Sequence, residues 1–167
     1  MVSRAGPTDA RRMARLTFVF DPYSPRSAAT ASTLRELDLD FEGVHAGAWS
    51  SRLGLGPDSE RSARAFCALR TVADERLVVH ELHQALAIRD ERLGRGVLTA
   101  IARRLGVDPA LVFAQLRRHR DSARLELARG RALQLGDGPA LLFEQDNIVT
   151  SLPLEAAALE PLIGALI

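Results

Sequence analysis

The chain has 167 residues, 47% of them apolar and 26% charged, which suits one domain large enough to bury a core. Its net charge of +1 excludes the strong basic field that draws a protein to nucleic acid or to an anionic membrane surface. All 22 basic residues are arginines spread along the sequence, the mark of a GC-rich bacterial genome rather than of a binding patch, and the single cysteine, Cys67, excludes an internal disulfide and C-x-x-C chemistry.

Residues 1–14 are polar and Arg-rich, lack the apolar core of a signal peptide, and read as a frayed tail. Leu16 to Asp21 reads as a buried strand that Pro22 ends. Ser24 and Pro25 then start a helix expected over Arg26–Leu37, with Ser24 as N-cap and Pro25 in the first turn. A second strand is expected in Asp38–Gly47, with Leu39, Phe41 and His45 on one side and a bulge at Gly43. Residues 47–57 are rich in glycine and serine and read as a loop.

From Asp58 to Leu135 the apolar spacing is helical. Helices are expected from Asp58 or Ser59 to about Val72, from Asp74 or Glu75 through Leu86, over Val97–Leu105 with a stop at Gly106, from Asp108-Pro109 onward, and over Asp121–Leu135 with a stop at Gly136. Ala140–Glu144 and Ile148–Leu152 form a hairpin around Asp146-Asn147, and Pro153–Ile167 is a last apolar helix. The order strand, helix, strand, helical block, hairpin, helix is that of a βαβ unit and a ββα unit separated by a helical insertion.

The chemistry centres on Asp21-Pro-Tyr-Ser-Pro-Arg-Ser27, where a strand feeds a helix N-terminus, a place that favours anions and thiolates. Ser24 and Ser27 have the spacing of a C-x-x-C pair. The stretch "TFVFDPYSPRSAATASTLREL" resembles the N-terminus of DsbA-like thioredoxin-fold proteins, in the branch whose strand runs into Asp-Pro-x-Cys-x-x-Cys, with Ser24 and Ser27 at the cysteine positions. Ser24-Pro-Arg-Ser27 is also similar to the Ser-Pro-x-Ser turn of kappa-class glutathione transferases and hydroxychromene-carboxylate isomerases. The resemblance implies an α/β, thioredoxin-like fold in one DsbA-like domain, with halves at 16–57 and 136–167 and a helical insertion at 58–135. It also implies a cis peptide bond before Pro139, facing the turn.

The site residues follow from that resemblance. Ser24 is a catalytic candidate that serves a glutathione sulfur, or a helix cap alone, and His45 is a candidate base toward a ligand near it. Tyr23, Arg26, Ser27, Trp49, Gly138 and Pro139 are candidate ligand-binding residues, Arg26 by clamping a carboxylate. Cys67 reads as a small buried hydrophobe, with a functional thiol as the alternative. His80 and His83, at i, i+3, lack the HExxH pattern and read as a solvated helix face without metal; Arg117 to Asp121 reads as another solvated face.

Three functions compete: a redox-inactive DsbA-like domain that binds a small molecule or peptide in a groove between Ser24 and Pro139, a glutathione-dependent transferase or isomerase of the kappa type, and an adapted non-thiol enzyme of a biosynthetic pathway. If the protein is an enzyme, transferase or isomerase chemistry is expected rather than disulfide exchange. Glutathione is the one cofactor the resemblance suggests. The expected setting is cytoplasmic, with no nucleic-acid or membrane partner and with a homodimer left open.

Overall fold

The computed structural model describes residues 14–47, 57–133 and 138–154, together with 158, 159 and 161. The expected tail, most of the 47–57 loop with Trp49, the helix end at Gly136 and most of the last helix fall outside these residues.

Strand β1 (Arg15–Phe20) leads to helix α1 (Pro25–Glu36) and strand β2 (Glu42–His45). Helices α2 (Pro57–Leu69), α3 (Glu75–His83), α4 (Arg95–Arg104), α5 (Pro109–Arg118) and α6 (Arg120–Leu133) follow, before strands β3 (Ala140–Gln145) and β4 (Ile148–Leu152). The sheet order is β2-β1-β3-β4, with β1 parallel to β2 and antiparallel to β3. Asp146 and Asn147 close the β3–β4 hairpin with φ of 56° and 65°, the left-handed pair a two-residue type I′ turn requires.

Caps set the helix starts as the sequence implies. Asp74 accepts from the N–H groups of Arg76 and Leu77, and Asp108 accepts from that of Ala110 ahead of Pro109. One departure is a π-helical turn, Gln84–Ile88, that extends α3; the Arg89 N–H reaches back to the Gln84 carbonyl in the five-residue step of that geometry.

β1 is central and covered on both faces, so Phe18, Val19 and Phe20 are all fully buried. Phe18 and Phe20 join Leu34 of α1, Phe66 and Leu69 of α2, and Leu82 of α3 in the main core. Val19 lies on the opposite face with Val44, Ala140 and Leu142, against which Leu133 of α6 packs.

Two expectations for β2 are corrected. The strand is four residues long, so Leu39 and Phe41 precede it and pack on the core as half-buried side chains. Gly43 forms no bulge but pairs in register with Phe18. Its missing side chain serves packing instead: a Cβ there would lie 3.1 Å from Val79 Cγ2 and 3.3 Å from Phe66 Cζ, so glycine lets α2 and α3 approach the sheet. Gly130 does the same for α6, since a Cβ would meet the His45 carbonyl oxygen at 2.5 Å. Among the described residues no helix is long and apolar enough to cross a membrane.

Candidate functional site

The turn after β1 is built by Asp21, which is fully buried. Its carboxylate Oδ1 accepts the Tyr23 N–H at 2.8 Å, and its carbonyl accepts the Ser24 N–H at 3.1 Å. These two bonds fold the chain back so that Pro25 can begin α1. Ser24 is the N-cap, its Oγ accepting the Ser27 N–H at 3.3 Å. The helix N-terminus is therefore placed at the end of the sheet, where its dipole favours an anion.

Ser27 is fully buried and faces inward. Its Oγ accepts the Asp21 N–H at 3.2 Å and lies 2.8 Å from His83 Nε2. His83 Nδ1 sits 2.7 Å from the Val79 carbonyl, which can only accept, so Nδ1 carries the proton. Nε2 is then an acceptor, and Ser27 donates its hydroxyl proton to it. Burial holds His83 neutral, with its pKa pushed down to about 4.

A second buried histidine stands beside the first. His45, at the end of β2, accepts the Gly47 N–H at Nδ1 (3.0 Å) and donates from Nε2 to Ser62 Oγ (2.9 Å), which passes its own proton to the Ser59 carbonyl (3.1 Å). Burial pushes its pKa down to about 3, and neighbouring His83 adds to the shift. Its backbone N–H is bound by Glu126 at 3.1 Å, and Arg70 completes that buried carboxylate at 3.1 Å. Phe20 packs between the two imidazoles, at 5.2 Å from His45 and 5.5 Å from His83.

The structure thus joins Ser24, Ser27 and His45 through one buried layer. His45 has both ring nitrogens committed inside the protein, so the geometry gives it the role of a structural hydrogen-bonding group. Tyr23 is half-buried; its hydroxyl donates to the Asp58 carbonyl at 3.1 Å and so ties the turn to the start of α2, and burial raises its pKa. Arg26 lies exposed on the first turn of α1. Trp49 is outside the described residues.

β1 and β3 pair as far as Val19 and Ala140, so Phe20 and Pro139 come one step further at the same end of the sheet as Ser24. The Gly138–Pro139 bond is trans, against the expected cis geometry. Among the described residues nothing lies within 4 Å of where a Cβ at 138 would sit, and trans is the intrinsic preference of an X–Pro bond by about 0.5–1 kcal/mol.

His83 is a second correction. Rather than lying on a solvated face it is 1% exposed. The signal was present in the sequence, since His83 falls in the apolar stripe of α3 one turn after Val79 and one turn before Leu86. Cys67 is buried within α2, and burial pushes its thiol up to about 11, away from thiolate chemistry. No group of three or more metal-ligating side chains gathers among the described residues.

The chain is similar to the thiol-disulfide exchange protein alpha-DsbA2 of Wolbachia pipientis, with a TM-score of 0.67 and 14% identity over 95% of this chain and 84% of that one. It is similar to a putative protein disulfide isomerase of Nitrosomonas europaea, with a TM-score of 0.67 and 16% identity over 91% of this chain and 96% of the other. It is also similar to the cytosolic disulfide reductase DsbM of Pseudomonas aeruginosa solved with GSH, with a TM-score of 0.58 and 16% identity over 91% and 98%. No protein-family model matches the sequence, and no curated protein does. The fold is that of the DsbA-like thioredoxin-fold proteins.

Proposed function

We propose that this chain is a thioredoxin-fold protein without disulfide-exchange activity, in which Ser24 and Ser27 take the two cysteine positions and a small molecule or peptide is bound between the Ser24 turn and Pro139. One observation carries the reading: the inner hydroxyl, that of Ser27, is fully buried and hydrogen-bonded to His83 and Asp21, while Cys67 is buried elsewhere. Thiol–disulfide exchange needs an accessible thiolate, and the turn has none. What remains for a ligand is the dipole of α1 and the outer rim of the turn. A cytoplasmic location belongs to the same reading, since a lone buried thiol suits a reducing compartment.

The test is to reduce insulin with the native chain and with the double variant Ser24→Cys/Ser27→Cys. The native protein gives the uncatalysed rate, and the double variant forms a reducible internal disulfide. Activity of the native chain, or two cysteines that stay unpaired under oxidising conditions, overturns the assignment.

A second reading, glutathione bound with its sulfur at Ser24, is favoured by the half-buried position of Ser24 at the helix N-terminus and by the similar DsbM structure solved with GSH. A ligand of the native state raises the melting temperature by mass action, so millimolar glutathione should stabilise the native chain and not Ser24→Ala. An unmoved melting temperature removes this reading and leaves the first intact.

A further inference from the structure

A cavity of about 740 Å³ lies within the helical block, between α2, α4, α5 and the segment that precedes α4. Its size falls in the range that holds small organic ligands, about 300–1,000 Å³. Its rim carries Arg61 and Arg64 from α2, Arg92 and Arg95 around the start of α4, and Arg117 from α5, and no acidic side chain lines it. Its floor is apolar, made by Leu93 and Leu98, both buried, with Phe113 and Leu116 of α5.

The arginines differ in how they are held. Arg61 pairs with Asp58 at 3.2 Å, one helical turn before it, and Arg64 Nε donates to the Leu116 carbonyl at 2.5 Å, which binds α2 to α5. Arg95 lies over the Phe113 ring at 5.1 Å, a cation–π contact that fixes its guanidinium at the rim. Among the described residues no carboxylate pairs with Arg92, Arg95 or Arg117. On a chain of net charge +1, where acids and arginines nearly balance, five arginines around one apolar floor concentrate positive potential at that point. Guanidinium forks match the oxygens of carboxylate and phosphate, whereas the floor excludes a ligand that is polar throughout.

We infer that this cavity is a binding site for a small amphipathic anion, with an acidic oxygen headgroup on the arginine rim and an aliphatic or aromatic body on Leu93, Leu98, Phe113 and Leu116. None of the Ser24-turn residues lines the cavity, whose rim meets that turn only through Asp58, the partner of both Arg61 and the Tyr23 hydroxyl.

Binding is read by calorimetry and thermal shift on the full chain, with decanoate, decyl phosphate, decanol and decyltrimethylammonium, each below its micellar concentration. Decanoate or decyl phosphate should bind at least about tenfold more tightly than decanol, and the tighter of the two identifies the headgroup. Decyltrimethylammonium should not bind. The triple variant Arg92→Gln/Arg95→Gln/Arg117→Gln changes only exposed side chains and leaves the core intact, and it should lose the preference for the anions over decanol. Raising sodium chloride should weaken the anions and spare decanol. Equal binding of decanol and decanoate, no binding of either anion, or full anion affinity in a folded triple variant overturns the inference.

Discussion

Removing the Ser27 hydroxyl is the sharpest probe of the buried layer. Ser27→Ala deletes a single oxygen, so the loss of packing is small, but two polar groups lose their partner at once. His83 Nε2 loses the Ser27 hydroxyl 2.8 Å away, and its Nδ1 proton stays committed to Val79. The Asp21 N–H loses its acceptor at 3.2 Å. Each buried hydrogen bond lost costs about 1–3 kcal/mol, giving roughly 2–6 kcal/mol together. For a chain of this size that lowers the melting temperature by roughly 4–24 °C. Urea unfolding and thermal melts followed by circular dichroism measure both quantities.

A second variant isolates the pair. In Ser27→Ala/His83→Leu the orphaned imidazole nitrogen is gone, so the double variant should cost about 1 kcal/mol less than the sum of the singles. Ser151→Ala on exposed β4 is the control and should fall within about 0.5 kcal/mol of the native chain. If Ser27→Ala behaves like that control, or if the singles add without coupling, the hydroxyl does not hold His83 and the assigned hydrogen-bond order is wrong.

Other outcomes follow from the same structure. His83 and His45 have folded pKa values of about 4 and about 3, below the unfolded value near 6.5, so the unfolded chain binds more protons as pH falls below 6.5. Stability should be level between pH 7 and 8 and should decline between pH 6.5 and 5, before most carboxylates titrate, with a slope approaching about 1.4 kcal/mol per pH unit for each histidine; a flat urea midpoint from pH 8 to 5 would contradict their burial as neutral groups. Gly130→Ala drives a Cβ to 2.5 Å from the His45 carbonyl oxygen and 2.6 Å from Ala46 Cα, which should cost about 3 kcal/mol or more, whereas Gly96→Ala in α4, with open space around it, should gain about 0.5–1 kcal/mol; like-signed shifts in the two would refute the close approach of α6 to β2.

Much of this fold is written in local signals. Pro22, the Ser24-Pro25 start, the Asp74 and Asp108 caps and the Asp146-Asn147 turn act within a few residues of themselves, so each element begins close to where its residues indicate. The buried layer is not local. Ser27 and His83 are 56 positions apart, and His45 and Glu126 are 81 apart, so their pairing exists only once α3 and α6 dock on the sheet. Gly43 and Gly130 illustrate the same limit. A glycine in a strand or helix reads as a weak point until the neighbouring element is known, and here that neighbour is the reason for the glycine. The five arginines of the cavity come from three helices and one connecting segment, so no window of sequence displays them together.

The arrangement of the turn bears directly on the kind of chemistry it can support. General base catalysis requires a nitrogen or oxygen that can reach a ligand and change its protonation. Both histidines near Ser24 spend both ring nitrogens on protein partners, lie within the core, and are held neutral by burial. Phe20, packed against both rings, would have to move before either could turn outward. The turn can therefore position a ligand by its helix dipole and rim, and neither His45 nor His83 is poised beside Ser24 as a proton acceptor. A substrate turned over at that end of the sheet with either histidine as its base would contradict this account.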